Sequence, residues 1–379
     1  MQLVLVNGRI LTRGGIVDGQ AVVIRDGRIA AVTDAAQAPA GADRRDLEGG
    51  LLVPGFIDTQ VNGGGGVLFN DAPTVETIAA IGAAHRAYGT TGFLPTLISD
   101  DLSVVDAALR ATERAIEQGV PGVLGAHIEG PFLNVQRKGI HDPDKFRVLD
   151  DEAIALLSSL KRGKTLVTLA PETTTPEMVA RLAAAGVTVA AGHTNATYET
   201  TRRALDAGVT GFTHLFNAMS PLTSREPGVV GAALESQTAW CGVIVDGRHV
   251  DPATLRIALR TRPLDRFMLV TDAMPTVGMV EKTFDLQGRR IHVVDGVCVD
   301  DQGTLAGSDL DMAGAVRNAV SMLGLSLEDA VMMASRAPAA FLGLAGQRGD
   351  IAPGQAADLV LLDDALEVRE TWIDGIPAR

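Results

Sequence analysis

Cysteines and aromatic residues are scarce in this sequence, and their scarcity excludes several classes of protein. Only two cysteines, Cys241 and Cys298, occur in 379 residues, so the disulfide scaffold of a small secreted protein is excluded. Phe, Trp and Tyr together make up 4% of the chain. The core must therefore consist mainly of aliphatic and small side chains, which is typical of α/β packing.

The chain also lacks basic blocks and long apolar runs. Its formal net charge is −13, so neither nucleic acid nor an anionic membrane is an expected partner. No stretch reaches the roughly 18 uninterrupted apolar residues that a membrane span requires. The opening MQLVLVNGRI has neither the basic start nor the small-residue cleavage site of a signal peptide, and we therefore expect a cytoplasmic protein.

The two ends of the chain share a β-rich texture. Residues 1–53 contain LVLVNGRILT and GQAVVIRDGRIAAV, and the pair Asp26-Gly27 lies where a hairpin turn is expected. Residues 345–379 repeat this texture, and neither end contains a long amphipathic helix. This pattern predicts one small β-sandwich domain, built from 1–53 plus 345–379, with the rest of the chain inserted between its halves.

The middle of the chain, residues 54–344, alternates short apolar runs with Ala-rich helical segments. Such an alternation, repeated eight times, predicts an α/β fold of the (β/α)8 TIM-barrel type. A doubly wound sheet is the alternative, but it needs fewer repeats and a G-x-G-x-x-G fingerprint, which NGGGG at 62–66 does not match. The eight runs are GFIDTQV, TGFLPTLI, GVLGAHIEG, LVTLAPE, VTVAAGHT, GFTHLFN, CGVIVDG and FMLVTDA.

Polar residues are concentrated at the ends of these runs. In a TIM barrel the catalytic groups lie at the carboxyl ends of the strands. Buried charges are costly unless they are paired or bound to metal, so a ring of such residues indicates a site. The residues are Asp58, Gln60, His127, Glu129, Glu172, His193, His214, Asp246, His249 and Asp272.

Three of these residues form the most economical metal site. Two imidazoles and one carboxylate, from His193, His214 and Glu129, suit Zn²⁺ and leave a coordination position open for water, although Fe²⁺ accepts the same set. Asp272 then has a function as the general base and later the general acid of a hydrolysis. A helix cap is the alternative for Asp272, and packing is the alternative for each histidine taken alone.

The order of several motifs resembles one enzyme family. GAHIEGPFLN, KGIHDP, AGHTNAT, THLFNAMSPLTSREPGVVG, VDGRHV, TDAM and TLAGS are similar to the motifs of the N-acetylglucosamine-6-phosphate deacetylases, a branch of the amidohydrolase superfamily. The resemblance covers nearly the whole chain. It implies hydrolysis of N-acetyl-D-glucosamine 6-phosphate to D-glucosamine 6-phosphate and acetate. It also implies one divalent metal ion per subunit on Glu129, His193 and His214, with Asp272 as the catalytic acid and base.

The same resemblance implies the residues that meet the substrate. His141 would help to polarise the acetyl carbonyl. The family's arginine reaches in from a neighbouring subunit, so a homodimer is implied, with Arg225 at the partner's site. The full set of substrate contacts implied in this way is Ile140, His141, Asn217, Ala218, Arg225, His249, Leu305, Ala306 and Gly307.

One departure from the wider superfamily concerns the number of metal ions. Many amidohydrolases carry H-x-H on the first barrel strand, whereas this chain has Gln60 and Asn62 there, and neither is a good zinc ligand. No lysine is placed to serve as a bridging carbamate. We therefore expect one metal ion rather than two.

Three alternatives to this function remain. A deacetylase for the 6-phosphate of N-acetylgalactosamine would use the same metal site. A cyclic amidase of the dihydroorotase or hydantoinase type is disfavoured by the missing H-x-H and by Arg225. A non-catalytic barrel would have lost ligands that are present here.

The remaining histidines are expected to be structural, His85 and His292 entirely and His127 as a support for Glu129.

Overall fold

The N-terminal segment forms seven short strands that follow its alternating apolar pattern. The predicted hairpin is present, because the fourth and fifth strands are antiparallel and Asp26 and Gly27 between them have φ of 50° and 76°. These positive values suit a two-residue turn with Gly in second place. The computed structural model describes residues 2–378. The strands are β1 (Gln2–Val6), β2 (Arg9–Thr12), β3 (Gly15–Val17), β4 (Gln20–Arg25), β5 (Arg28–Asp34), β6 (Asp43–Asp46) and β7 (Leu51–Pro54).

The middle of the chain contributes ten strands, of which eight form one parallel sheet. These are β8 (Phe56–Val61), β9 (Gly63–Gly64), β10 (Val67–Leu68), β11 (Thr90–Ile98), β12 (Gly125–Glu129), β13 (Lys164–Leu169), β14 (Thr188–Ala191), β15 (Val209–Phe212), β16 (Trp240–Val243) and β17 (Phe267–Leu269). The order in the sheet is β8-β11-β12-β13-β14-β15-β16-β17, whereas β9 and β10 form a separate ribbon. Beyond β17, a parallel bridge between Val61 and Ala273 closes the circle. The predicted TIM-type barrel is confirmed, and all eight apolar runs supply its strands.

Ten α-helices accompany the strands, most of them between barrel strands. Many begin at a Thr, Ser or Asp whose side chain accepts a hydrogen bond from a backbone amide of the first turn, as Thr74 does from Thr77. None of the helices in the described chain combines the length and the apolar composition needed to cross a bilayer. The helices are α1 (Val75–Arg86), α2 (Leu102–Glu117), α3 (Asp151–Leu157), α4 (Pro176–Ala184), α5 (Tyr198–Ala207), α6 (Gly228–Glu235), α7 (Pro252–Ala258), α8 (Met312–Leu323), α9 (Leu327–Ala334) and α10 (Arg336–Phe341).

An antiparallel sheet that the sequence analysis did not predict lies between the eighth barrel strand and α8. Its last strand approaches the mouth of the barrel, where the amide of Ser308 donates a 2.9 Å hydrogen bond to the carbonyl oxygen of Asp272. The sheet therefore carries the segment around Gly307 to the strand ends. Its four strands are β18 (Thr283–Leu286), β19 (Arg289–Val294), β20 (Val297–Asp300) and β21 (Leu305–Ser308).

The C-terminal segment completes a β-sandwich with the N-terminal strands. It adds β22 (Leu359–Leu362), β23 (Val368–Ile373) and β24 (Ile376–Pro377) to a six-stranded sheet of order β24-β23-β22-β7-β2-β3. This sheet packs on the four-stranded sheet β5-β4-β1-β6, and side chains such as Leu5, Leu52 and Trp372 are buried between them. A small sandwich built from both ends is thus present. Its exact limits, 1–53 plus 345–379, stay a prediction.

Candidate active site

Four of the predicted residues lie just beyond barrel strands and face one another. Glu129 ends β12, whereas His193, His214 and Asp272 follow β14, β15 and β17 within three residues. The last three have φ of 47°, 31° and 54°. A left-handed backbone is costly for a residue with a side chain and persists only where its surroundings fix it, which is typical of functional sites.

The surroundings that fix Asp272 are backbone contacts on both sides. Its amide donates to the carbonyl oxygen of Gln60 at 3.0 Å, and its own carbonyl oxygen accepts from Ser308. The neighbouring Gly307 has φ of 70°, and a Cβ atom there would lie 2.6 Å from that carbonyl oxygen. Glycine at this position therefore allows β21 to approach Asp272 closely.

The two histidines and the glutamate form a tight, buried cluster. Oε1 of Glu129 lies 3.0 Å from Nε2 of His193 and 3.0 Å from Nε2 of His214, and the two Nε2 atoms are 3.0 Å apart. These three side chains are the one group in the described chain whose ligand atoms converge closely enough to hold a metal ion. The predicted ligand set is therefore brought together.

The hydrogen bond on the outer nitrogen of His193 indicates that the cluster fits a cation. Nδ1 of His193 lies 2.8 Å from the carbonyl oxygen of Arg137, so this nitrogen carries a proton. In a neutral imidazole, Nε2 of His193 then presents its lone pair to the Glu129 carboxylate and to His214. Lone pairs placed in this way repel one another unless a cation lies between them. A carbonyl partner on the outer nitrogen of a histidine is also a typical second contact of a metal ligand.

The charges of the cluster are consistent with a bound cation. Burial alone would raise the pKa of Glu129, but the close imidazoles of His193 and His214 hold it well below its ordinary value. Burial would lower the pKa of His214, yet the hydrogen bond to Glu129 raises it. The carboxylate is therefore ionised at neutral pH, which is the form that binds metal.

Asp272 has one engaged and one free carboxylate oxygen. Its Oδ1 accepts hydrogen bonds from Nε2 of Gln60 at 3.0 Å and from Nδ2 of Asn62 at 2.7 Å. Within residues 2–378, no side chain or amide forms a hydrogen bond to Oδ2. Burial raises the pKa of Asp272, and the negative charge of Glu129 raises it further. A carboxylate with a free oxygen and a raised pKa suits proton transfer.

The same contacts give functions to Gln60 and Asn62, which the sequence analysis had regarded only as poor metal ligands. Nε2 of Gln60 donates both to Asp272 and to Oε2 of Glu129, the latter at 3.1 Å. One amide group thus joins the two carboxylates and offsets their repulsion. No local motif signals this bridge, because the partners are 69 and 212 residues away in the sequence.

His141 enters the same cavity from the loop after β12. Its Nδ1 accepts a hydrogen bond from the amide of Ser99 at 3.3 Å and lies 2.8 Å from the Ser99 hydroxyl. Since an amide only donates, Nδ1 has no proton and Nε2 carries it. Burial is the main cause that holds the pKa of His141 well below its usual value, so the ring is a neutral donor.

The cavity above these residues has a volume of about 220 Å³. Two of the predicted substrate contacts are absent from its wall: the side chain of Ala306 in β21 is buried in an apolar cluster, and Arg225 is exposed on the surface of its own chain. The sequence analysis also missed Ile98, Gly139, Met274 and Thr304, whose types carry no clear chemical signal. The predicted residues on the wall are Glu129, Ile140, His141, His193, His214, Asn217, Ala218, His249, Asp272, Leu305 and Gly307.

His249 is fixed by a carboxylate behind it. Its Nδ1 lies 2.6 Å from Oδ2 of Asp246, and both side chains are buried. Burial would raise the pKa of Asp246, but the hydrogen bond from His249 keeps it below its ordinary value. Nε2 of His249 therefore remains available to a ligand.

The other histidines have structural partners. His127 lies beneath the cluster, where Nε2 is 2.8 Å from the hydroxyl of Thr168 and burial lowers the pKa of the ring to about 4. His85 is buried in α1 against the carbonyl oxygen of Gly63. His292 lies on β19, 3.3 Å from Asp301.

Comparison with known proteins agrees with this geometry. A family model described as the amidohydrolase family matches residues 51–376. The chain belongs to the amidohydrolase family. A second model, the NagA composite domain, matches residues 3–52. Amidohydrolases are metal-dependent, and the Glu-His-His cluster is a candidate site for the metal ion. The predicted membership of the amidohydrolase superfamily is confirmed.

Individual amidohydrolases are similar over almost the whole chain. The N-acetylgalactosamine-6-phosphate deacetylase of Shewanella sp. (strain ANA-3) is 46% identical over 98% of this chain and 95% of its own length. The N-acetylglucosamine-6-phosphate deacetylase of Haemophilus influenzae is 35% identical over 99% of both. The crystal structure of the N-acetylglucosamine-6-phosphate deacetylase from Pasteurella multocida has a TM-score of 0.96 at 34% identity, covering 100% of this chain and 99% of that one.

Proposed function

We propose that this amidohydrolase removes the acetyl group from N-acetyl-D-glucosamine 6-phosphate, giving D-glucosamine 6-phosphate and acetate. The observation that carries the proposal is the convergence of Glu129, His193 and His214 on one point, with the free oxygen of Asp272 facing the same cavity. An unactivated amide needs a polarised carbonyl, a nucleophile at neutral pH and a proton for the departing nitrogen. Two relatives are named as deacetylases of phosphorylated N-acetylhexosamines, whose acetamide group is such an amide.

The proposed cofactor is one divalent metal ion per subunit, Zn²⁺ in the first place and Fe²⁺ in the second. Two imidazole nitrogens and one carboxylate oxygen, from His193, His214 and Glu129, are a donor set that both ions accept. When bound, such an ion supplies Lewis acidity for the acetyl carbonyl and for the attacking water. The amide bridge of Gln60 occupies the place where a second ion would need ligands.

Asp272 and His141 carry out the proton chemistry in this proposal. Oδ2 of Asp272 takes a proton from the attacking water while the oxygen atom of that water bonds to the acetyl carbon. The same oxygen then delivers that proton to the sugar nitrogen as the carbon–nitrogen bond breaks. Nε2–H of His141 donates a hydrogen bond to the acetyl oxygen, where negative charge develops.

The sugar phosphate is proposed to lie against the far wall of the cavity. Asn217, Ala218, His249, Leu305 and Gly307 line the cavity there, and His249 is oriented by Asp246. Within its own chain Arg225 is exposed and stands outside the wall. We therefore assign it to the phosphate in the cavity of a second copy, within a homodimer.

A second candidate substrate is the 6-phosphate of N-acetyl-D-galactosamine. The observation in its favour is the 46% identity to the Shewanella enzyme, against 35% for the Haemophilus enzyme that is named for the gluco substrate. The two sugars differ only in the orientation of the C4 hydroxyl, so the metal site and Asp272 act identically on both.

A substrate panel tests the proposal and separates the two candidates. Protein stripped of metal and reloaded with Zn²⁺ or Fe²⁺ is assayed for free amine on both 6-phosphates and on unphosphorylated N-acetylglucosamine. The proposal expects the highest kcat/KM on the gluco 6-phosphate, and a higher value on the galacto 6-phosphate would establish the second candidate. No amine release from any of the three would contradict both.

The proposed location is the cytoplasm. Both cysteines are buried and unpaired, which suits a reducing compartment. Recovery of the activity in the periplasmic or extracellular fraction of the source cells would contradict this.

A further inference from the structure

Glu172 is a carboxylate that the catalytic scheme leaves without a function. It lies in the turn Pro171–Thr173 directly after β13. Its two oxygens accept three hydrogen bonds: from the hydroxyl of Thr194 at 2.5 Å, from the amide of Asn195 at 2.6 Å, and from Nδ2 of Asn134 at 2.8 Å. Among the residues that the structure describes, no cationic side chain pairs with it.

Its hydrogen-bond donors belong to the two segments that orient His193. Thr194 and Asn195 follow this histidine directly in the chain. The backbone amide of Asn134 donates to the carbonyl oxygen of His193 at 3.0 Å, and Nδ1 of His193 donates to the carbonyl oxygen of Arg137. Nε of Arg137 in turn donates to Oδ1 of Asn195 at 3.0 Å, which ties the two segments together.

The conformation that Glu172 supports is a costly one. His193 has φ of 47°, and a residue with a side chain stays in this strained region only where its surroundings fix it. Hydrogen bonds to an ionised carboxylate are about twice as strong as those between neutral groups. Two of them hold Thr194 and Asn195, which follow His193, and the third holds Asn134, whose backbone amide donates to the carbonyl oxygen of His193. Together they keep the loop in this form.

The same carboxylate acts indirectly on the substrate side of the cavity. The amide of Thr194 donates to the carbonyl oxygen of Ala218 at 3.0 Å, and the carbonyl oxygen of Thr194 accepts from the amide of Ser220 at 3.1 Å. Ala218, with φ of 51°, lines the cavity. Thr194 thus joins Glu172 to the wall on which the sugar phosphate is proposed to lie.

We propose that Glu172 is the positioning residue of this site: by holding Thr194 and Asn195 it aims Nε2 of His193 at the metal position and sets the place of Ala218. Glu172 itself touches neither the reacting atoms nor the ion. The expected effect of Glu172 on kcat and KM rests on the proposed function. Its expected effect on metal affinity does not depend on the identity of the substrate.

The experiment compares metal affinity across three variants of the full chain. Glu172→Ala removes the carboxylate that accepts all three hydrogen bonds, and removal of an outer contact of a metal site typically weakens metal binding by about 10- to 100-fold. Glu172→Gln keeps an acceptor oxygen for Asn134 and Asn195, and the Thr194 hydroxyl can rotate to accept from the new amide. Asp363→Ala is the matched control, since Asp363 accepts two backbone amides in the sandwich, remote from the cavity.

Zn²⁺ affinity is measured on stripped protein by competition with a chelator, beside kcat and KM on both amino-sugar 6-phosphates. The expected result is at least about tenfold weaker binding for Glu172→Ala. Its KM should be raised at saturating metal, while Glu172→Gln and Asp363→Ala stay near the parent. Parent affinity in Glu172→Ala, or an equal loss in Asp363→Ala, would overturn the inference.

A second pair of variants keeps the test informative if Glu172→Ala does not fold. Thr194→Val removes the hydroxyl that donates to Glu172, whereas Thr194→Ser retains it. Weaker Zn²⁺ binding in the valine variant alone supports the inference, and equal binding in both overturns it. If the parent binds Zn²⁺ but deacetylates neither substrate, the proposed function fails while these affinities still decide the function of Glu172.

Discussion

Nε2 of Gln60 lies 3.0 Å from Oδ1 of Asp272 and donates a hydrogen bond to it. Together with the 2.7 Å bond from Asn62, this contact occupies one oxygen of the carboxylate and leaves Oδ2 for the cavity. In the proposed mechanism, Oδ2 rather than Oδ1 is therefore the base, because Gln60 in β8 and Asn62 directly after it occupy Oδ1.

Asp272→Asn should retain the fold and the bound metal but lose most of its turnover. The amide oxygen of asparagine can still accept from Gln60 and Asn62, whereas the nitrogen in place of Oδ2 has no basic lone pair. Loss of a general base typically costs about 10²–10⁴-fold in rate. The measurement is kcat at saturating substrate beside metal content per chain. Near-parent kcat would remove Asp272 from the mechanism.

Gln60→Leu should lower kcat while leaving one metal ion per chain. The substitution is close in volume but removes the donor shared by Asp272 and Glu129, so two buried carboxylates lose a partner. A fall of about 10- to 100-fold is expected, the usual effect of removing a contact that orients a metal site. Gln302→Leu, on the loop after β20, is the surface control. An unchanged kcat in Gln60→Leu would show that the bridge has no catalytic consequence.

Arg225→Ala should weaken phosphorylated substrates selectively. A guanidinium on a phosphate forms charge-assisted hydrogen bonds, and their loss is expected to lower kcat/KM by about 10- to 100-fold. Unphosphorylated N-acetylglucosamine should be turned over as by the parent. An equal loss on both substrates would contradict the assignment of Arg225 to the phosphate.

A mixture of Arg225→Ala with Asp272→Asn tests whether the arginine acts across the dimer. If it does, each mixed dimer has one cavity with an intact Asp272 and an intact Arg225 from the other copy. Random exchange in an equal mixture then restores about one quarter of the parent activity. Activity no greater than the average of the two separate variants would place Arg225 at the site of its own subunit.

His85→Gln should reduce the loss of stability in acid. Burial lowers the pKa of His85 to about 4, below the value of about 6.5 in an unfolded chain. Between these values the unfolded state binds the extra proton, so the free energy of unfolding falls as the pH falls. Glutamine keeps a donor for the carbonyl oxygen of Gly63 without titrating.

Urea unfolding at pH 7.5 and pH 5 measures this effect. The parent should lose about 2 kcal/mol more than His85→Gln over that interval. His292→Gln, a surface substitution on β19, is the matched control and should behave as the parent. Identical losses in the parent and in His85→Gln would contradict the neutral, buried state of His85.

The barrel and the residues of the candidate metal cluster could be located from the sequence because both depend on local patterns. Each barrel strand is a short apolar run bounded by turn residues, and Glu129, His193 and His214 stand at the ends of such runs. The motif order then assigned their chemistry by resemblance. The sheet β18–β21 was missed although it carried a signal: the pairs Gln287-Gly288 and Asp295-Gly296 separate β-rich segments, and all four residues have positive φ.

The contacts that orient the site could not be predicted in this way. Gln60 meets Asp272 only because β8 closes the barrel against the segment after β17, and Glu172 meets Asn134 only because three strand ends adjoin. Each pairing depends on the register of distant strands, which no local pattern reveals. Likewise, the exposed position of Arg225 becomes informative only once the cavity wall is known.

The central claim is that one divalent ion on Glu129, His193 and His214 supports catalysis by Asp272. The most direct measurement is a titration of metal-stripped protein with Zn²⁺, in which bound metal and amine release from the amino-sugar 6-phosphates are followed together. The account predicts that both rise in parallel and stop at one ion per chain, and that His193→Ala shows neither rise. Full activity in the stripped protein, or a plateau reached only at two ions per chain, would contradict it.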